Sequence, residues 1–260
     1  MNAPSPSFIF STRDVAAALR FVDAVTGRVI QDPVGVEAEG LTFQTKLNGD
    51  VILFGPVPGG PRQISVRPAA PAYQPRLVTL VLPRLVSDSD PNSIFKPALI
   101  RLQPSPDYRV TGNLAALRVS LSGMRPDGRR RIGNALVRLS SDVAGMPGAA
   151  AVTNMAGEAL LVIAGLPLTK PGDLNATPHF PYKLDAVADP ASPATGLVSV
   201  SALEALAASG GFAQGPFVDP DILSRGSAPA FAVMPSLPVS LAAGEIGVIA
   251  ADWQPLWPPP

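Results

Sequence analysis

The sequence predicts an all-β protein with two tandem antiparallel β-sandwich modules, one short helix and extended proline-rich termini. Three observations lead to this fold class. Residues 19–58 are echoed later in the chain by residues 117–167. Short apolar runs end at Gly, Pro or Asn, as strands bounded by turns do. The chain also contains 31 Pro and 23 Gly residues, which interrupt helices and supply tight turns.

The repeat shows that one small β unit is used twice. Each copy opens with Leu-Arg, turns through Gly-Arg, and carries a Thr-x-x-x-Gly motif before an apolar strand. The matching pairs are Gly27-Arg28 with Gly128-Arg129, residues 45–49 with 153–157, and the strands 51–54 with 159–163. We expect Gly49 and Gly157 to take the positive φ of a tight turn between strands.

The remaining strands follow from the same pattern of apolar runs between turn residues. Residues 15–23 favour a strand over a helix because they lead directly into the Thr26-Gly27 turn. The other predicted strands are 63–67, 76–83, 98–102, 117–121, 135–139, 149–153, 238–241 and 245–251.

These elements divide the chain into four parts: an N-terminal extended arm (1–16), a first β-sandwich (17–90), a linker strand with a second β-sandwich (91–200), and a C-terminal extension (201–260). Ser201 and Glu204 form a capping box and Gly210-Gly211 a stop, which predicts one short helix at the start of that extension. The last eight residues contain two tryptophans and four prolines, so we expect an extended, polyproline-like tail.

Charge is sparse and unevenly distributed. Charged residues make up 15% of the 260 residues, against about a quarter in soluble proteins, and the net charge is zero. Residues 1–138 hold 17 basic and 10 acidic residues, whereas residues 139–260 hold 3 and 10. Two oppositely charged halves would orient neighbouring subunits, and a charge-poor surface suggests that partners cover much of it.

The sequence excludes several classes of site. The chain has no cysteine, so it forms no disulfide or thiolate metal centre. We expect cytoplasmic synthesis and a place within a large particle, because the N-terminus does not resemble a secretory signal and no window reaches a membrane span of about 20 apolar residues.

Side chains that could carry chemistry are few. The single histidine, His179, has no nucleophile elbow or second histidine to work with, and we interpret it as a loop residue bonded to backbone. Asp88, Asp90 and Asn92 begin like a calcium loop, but Ser93 and Leu99 occupy its glycine and closing-acid positions. We therefore predict no catalytic residue, no metal site and no cofactor.

The strongest charged cluster is the Arg-rich segment 125–131, which Pro-Asp-Gly places on a hairpin loop. It fits a solvated turn or a docking site for an acidic protein surface. Nucleic acid is the least favoured partner, because aromatic residues for base stacking make up only 6% of the chain. The candidate interface residues are Phe8, Phe10, Arg125, Arg129, Arg130, Arg131, Trp253 and Trp257.

The order Leu-x-x-x-Asp-x-x-Thr-Gly-Arg, Thr-x-x-x-Gly, and Gln-Ile-Ser-Val ending at Tyr73 resembles the carboxypeptidase regulatory-like, transthyretin-like family of β-sandwiches. The second copy, with Thr153-Asn154 and Gly157-Glu158, resembles the same family. The resemblance implies a transthyretin-like or immunoglobulin-like sandwich, with Gly49 and Tyr73 as structural positions. Modules of this family serve as scaffolding or adhesion domains, so the resemblance implies no catalytic residue.

Together these observations predict a non-enzymatic structural or adaptor subunit of a larger assembly. Sparse charge, absent cysteine and anchoring arms suggest a phage-tail-like or contractile-injection particle, whose other subunits or further copies of this chain would be the partners. One alternative is a carbohydrate-binding or adhesive module, which would need an exposed aromatic platform. Another is an accessory domain of a carboxylate-dependent hydrolase, which would need a cleft containing Asp88 and Asp90 or Asp219 and Asp221.

Overall fold

The computed structural model describes residues 14–56, 59–87, 89–125, 128–169, 177–189, 197–198, 217–225 and 232–253. Within these ranges the chain forms seventeen strands and one short helix, as the predicted all-β class requires. The early strands are β1 Val15–Asp23, β2 Val34–Glu37, β3 Thr42–Thr45, β4 Val51–Phe54, β5 Gly60–Pro68, β6 Arg76–Leu82 and β7 Ala98–Leu102.

The later strands begin after a linker at residues 103–114. They are β8 Ala115–Arg125, β9 Gly128–Ile132, β10 Leu136–Ser140, β11 Ala149–Val152, β12 Glu158–Ile163, β13 His179–Ala188, β14 Leu197–Val198, β15 Ala232–Val233, β16 Leu237–Ala242 and β17 Ile246–Trp253, and α1 is Pro220–Arg225. Among the described residues no helix is long and apolar enough to cross a membrane.

The first sandwich contains β1 to β7. One sheet has the order β3-β4-β1-β7 and the other the order β2-β5-β6. Side chains of the strands other than the exposed β3 point between the sheets, where residues such as Phe21, Leu53, Ile64 and Leu102 form a single buried cluster.

The second sandwich contains β8 to β17. Its first sheet has the order β12-β8-β9-β14, with β17 paired to β8, and its second has the order β11-β10-β13-β15, with β16 paired to β13. Leu121, Leu161, Leu184 and Trp253 belong to the buried cluster between these sheets.

The two sandwiches share the arrangement of six strands, and this is the structural form of the sequence repeat. They differ at β3, which pairs with β4, and at β11, which pairs with β10 in the facing sheet. In each, the opening strand lies between an antiparallel partner and a parallel one: β1 between β4 and β7, and β8 between β12 and β17. The facing sheets correspond as well, since β2-β5-β6 and β10-β13-β16 are both antiparallel. The repeat therefore extends to residue 253, far beyond the part that the sequence makes visible.

The two repeat glycines behave as predicted. Gly49 has φ +82° and Gly157 has φ +73°, and each lies just before the antiparallel strand that pairs with β1 or β8. A Cβ at Gly157 would lie 2.5 Å from the carbonyl oxygen of Leu121, closer than two such atoms can approach. Gly157 is thus required both by its conformation and by the tight approach of β8.

The domain boundaries differ from the sequence-based expectation. β7, expected to lead into the second module, pairs in parallel with β1 and completes the first sandwich. β16 and β17, expected in a C-terminal extension, are integral strands of the second sandwich. Parallel pairing joins strands distant in the chain, so local turn signals do not reveal it.

One further prediction is wrong, and others fall outside the described residues. His179 is not in a loop, because it is the first residue of β13, where its Nδ1 lies 3.7 Å from Glu245 Oε2. The predicted helix near residues 201–211, residues 1–13 of the arm and residues 254–260 of the tail lie outside the described residues. The helix that is described, α1, begins directly after Asp219.

Candidate interaction surfaces and the cleft between the sandwiches

The predicted arginine cluster lies on the β8–β9 hairpin, with Arg125 at the end of β8 and Arg129, Arg130 and Arg131 in β9. Arg129 and Arg131 both have hydrogen-bond partners within the chain. Arg129 Nε donates to Asp252 Oδ1 at 2.8 Å and to Ser122 Oγ at 3.0 Å, and Arg131 donates to Ser120.

The hydrogen bond from Arg129 lowers the pKa of Asp252 and, reciprocally, the bond to Asp252 raises the pKa of Arg129. Asp252 lies on β17, so this ion pair fastens the arginine hairpin to the last described strand. The hairpin is thus partly neutralised by its own chain, and it presents less positive charge to a partner than the sequence suggests.

The aromatic anchors need one correction. Trp253 is 2% exposed and belongs to the core of the second sandwich, because it occupies an inward-facing position at the end of β17. Its side chain therefore neither anchors the chain to a neighbour nor forms an aromatic platform for a sugar. Phe8, Phe10 and Trp257 lie outside the described residues.

The opposite charges of the two halves meet inside the chain. Arg129 pairs with Asp252, Arg138 Nε lies 2.7 Å from Asp185 Oδ1, and Arg76 pairs with two acids that follow residue 139. In each case an arginine of residues 1–138 meets an aspartate of residues 139–260. Some of the oppositely charged residues of the two halves thus stabilise the chain itself, because they pair with each other.

A cleft of about 680 Å³ lies between the two sandwiches. Its polar lining consists mainly of Arg76, Arg101, Arg138, Asp185 and Asp221. Arg76 and Arg138 are paired with acids that belong to or adjoin this lining, so the cleft has little net charge to attract an ion.

The acids proposed for the hydrolase alternative are engaged in structural contacts. Asp219 accepts hydrogen bonds from Arg76 Nη2, from the Thr79 N–H and from the Asp221 N–H. A carboxylate whose lone pairs are filled by N–H donors is a poor general base, and the last of these bonds makes Asp219 the N-cap of α1.

The calcium-like segment also makes ordinary turn contacts. Asp90 Oδ1 accepts the Asn92 N–H at 2.6 Å, while Asp88 lies outside the described residues. Throughout the described part of the chain, no group of three acidic or histidine side chains could hold a metal ion.

A buried carboxylate organises the junction between the sandwiches. Asp23, at the end of β1, accepts the Val25 and Thr26 N–H groups on Oδ1 at 2.7 and 2.9 Å. Its Oδ2 accepts the hydroxyls of Tyr73 and Tyr108, each at 2.9 Å. Tyr73 thus has a structural role at this junction.

Tyr108 connects the two sandwiches. It lies in the linker, its hydroxyl binds the first sandwich at Asp23, and its ring packs against Ala116, Leu160 and Val162 on the outer face of the second. Burial, with the bond to Asp23 as a further cause, raises the pKa of Tyr108 to about 12. Tyr73 meets it edge-on, with ring centroids 6.0 Å apart.

Sequence reasoning missed the exposed apolar side chains of the edge strands. On β17, Ile246 is 50% and Val248 is 78% exposed, and on the equivalent strand β7 Leu99 is 65% exposed. The two strands occupy the same position in the repeat, since each pairs in parallel with the opening strand of its sandwich. In the sequence these are aliphatic residues at positions of a strand that face outwards. They could be recognised as exposed only once the inward-facing positions of the strand were known.

Comparison with known proteins gives no family assignment. No family model matches the chain, and no curated protein matches it. Among solved structures, GBS52, the minor pilin of the Gram-positive pathogen Streptococcus agalactiae, aligns over 83% of this chain and 69% of its own, with 10% identity and a TM-score of 0.26. A likeness this distant says nothing about function.

Proposed function

We propose that this chain is a non-enzymatic structural or adaptor subunit that joins other protein subunits along the edge strand β17. The observation that carries this proposal is the exposure of Ile246 and Val248 on that strand. Among the described residues β17 has one strand partner, β8, on one side only.

An edge strand of this kind is suited to association. Its outward N–H and C=O groups can pair with another strand, and monomeric proteins commonly protect such edges with charge, proline or bulges. From Ile246 to Ala251 β17 carries no charge and no proline. Its aliphatic side chains would lose their contact with water if a neighbouring subunit packed there, which favours binding by about 25 cal/mol per Å² of apolar area.

The class of assembly rests on sequence. A cysteine-free, charge-poor chain built from tandem sandwiches suits a phage-tail-like or contractile-injection particle, formed from subunits made in the cytoplasm. The kinship that we propose is with the carboxypeptidase regulatory-like, transthyretin-like modules, supported by the turn glycine Gly49 and the bonded Tyr73.

The experiment places a charge on the proposed edge. We expect Val248→Lys to weaken association with the parent assembly, or with further copies of the chain, at least about tenfold, because an edge lysine opposes strand pairing. The matched control is Val143→Lys, since Val143 is an exposed valine in the turn between β10 and β11.

Association is measured by co-purification of the tagged full chain with its subunits from the source and by light scattering of the purified chain. Loss with Val248→Lys and retention with Val143→Lys support the proposal. Equal association of both variants and the parent chain would contradict it.

A further inference from the structure

Residues 217–225, which we call the clasp, touch both sandwiches. Val218 and Leu223 form a buried cluster with Leu136 and Val152 on the outer face of the second sandwich. The clasp is therefore attached to the second sandwich by its apolar side chains.

The backbone and carboxylate of the clasp bind the first sandwich. The Leu77 N–H donates to the Val218 carbonyl at 2.9 Å, and the Thr79 N–H donates to Asp219 Oδ2 at 2.8 Å. Leu77 and Thr79 alternate along β6, which is the edge strand of its sheet. The clasp thus supplies acceptors where a further strand of that sheet would supply them.

A buried ion pair stands at the centre of this contact. Arg76 and Asp219 have side-chain exposures of 5% each, and Arg76 Nη2 lies 3.1 Å from Asp219 Oδ1. The same nitrogen lies 2.5 Å from Asp221 Oδ2, although the Asp221 side chain is 63% exposed. Arg76 Nη1 also donates to the carbonyl of Arg101 on β7 at 3.0 Å, so the guanidinium holds both sheets of the first sandwich and the clasp together.

From these contacts we propose that the clasp is a conformational lock that fixes the angle between the two sandwiches, with Asp219 as its positioning residue. Asp219→Ala leaves a buried guanidinium whose one remaining carboxylate partner, Asp221, is exposed, and it leaves the Thr79 N–H without its acceptor. Both losses favour release of the clasp from β6. The sandwiches then stay joined through the linker and the junction that Asp23 and Tyr108 form there. This inference does not depend on the proposed function.

The test measures the distance between two spin labels, one in each sandwich, by pulsed electron–electron double resonance. Because the chain has no cysteine, Leu47→Cys and Val143→Cys introduce unique labelling sites, both at exposed positions, one in each sandwich. Asp219→Asn and Asp219→Ala are compared in this background with the control Asp221→Asn, which alters the exposed partner of the same arginine.

We expect one narrow distance distribution for the labelled parent chain and for Asp221→Asn, and a broadened, shifted distribution for both Asp219 variants. Circular dichroism establishes that the variants retain their β structure. If Asp219→Ala does not fold, the milder Asp219→Asn decides the matter. An unchanged narrow distribution in a folded Asp219 variant would overturn the proposal, as would equal broadening in Asp221→Asn.

Discussion

Replacing Asp23 tests whether the junction between the sandwiches depends on one carboxylate. The side chain is 6% exposed and accepts four hydrogen bonds, two from backbone N–H groups and two from the hydroxyls of Tyr73 and Tyr108. Asp23→Ala removes all four acceptor contacts at once. Asp23→Asn keeps the shape and one oxygen, and its amide can donate to the tyrosine hydroxyls.

The expected loss follows from this count. If each hydrogen bond contributes about 1 kcal/mol net, Asp23→Ala lowers the free energy of unfolding by about 4 kcal/mol. Asp23→Asn should cost about 1–2 kcal/mol, because it loses the charge but keeps most contacts. Tyr73→Phe and Tyr108→Phe should each cost about 1 kcal/mol, and less in the Asp23→Asn background, because all three side chains share one network.

The assay is urea unfolding followed by circular dichroism, arranged as double-mutant cycles. Tyr182→Phe is the matched control, since the Tyr182 hydroxyl donates to the Pro147 carbonyl in the second sandwich and has no contact with Asp23. Its effect should add to that of Asp23→Asn within experimental error. A loss below about 1 kcal/mol for Asp23→Ala, or strict additivity for Tyr73 and Tyr108, would refute the reasoning.

Two further predictions concern the turn glycines and the tyrosines. Gly157→Ala should destabilise the chain by about 1–3 kcal/mol more than Gly145→Ala, because both have positive φ but only Gly157 would place its Cβ against the Leu121 carbonyl; equal losses in thermal melts would contradict this. The pKa of Tyr108 is raised to about 12, and those of Tyr73 and Tyr182 are raised as well, in each case mainly by burial. The unfolded chain therefore loses its phenolic protons first, near pH 10, and stability should fall as the pH rises from about 10 towards 12. Tyrosinate absorbance should appear near pH 10 in denaturant but not in the native protein, and its appearance near pH 10 in both would show that the tyrosines are exposed.

Much of the strand content could be predicted from local sequence. The strands at 51–54 and 158–163 were located to within a residue, because continuous aliphatic runs bounded by glycine and proline have few other interpretations. β13 was missed, although Tyr182, Leu184 and Ala186 alternate inward along it. Pro181 conceals that alternation, since proline usually marks a strand boundary.

The tertiary arrangement could not be predicted in the same way. The pairings of β7 with β1 and of β17 with β8 join segments that local turn chemistry does not connect. The contact of Arg76 with Asp219 spans 143 positions in the sequence, and nothing local to either residue indicates the other. The uneven distribution of charge along the chain could be read from the sequence. The ion pairs that form between the two halves could not.

The proposed role of β17, as the edge along which this chain joins its assembly, can be tested on the strand itself. The most direct measurement is hydrogen–deuterium exchange at the β17 amides, compared between the free chain and the chain within the complex purified from its source. We expect the amides facing away from β8 to exchange quickly in the free chain and to become protected in the complex. Equally fast exchange of these amides in both states would contradict it.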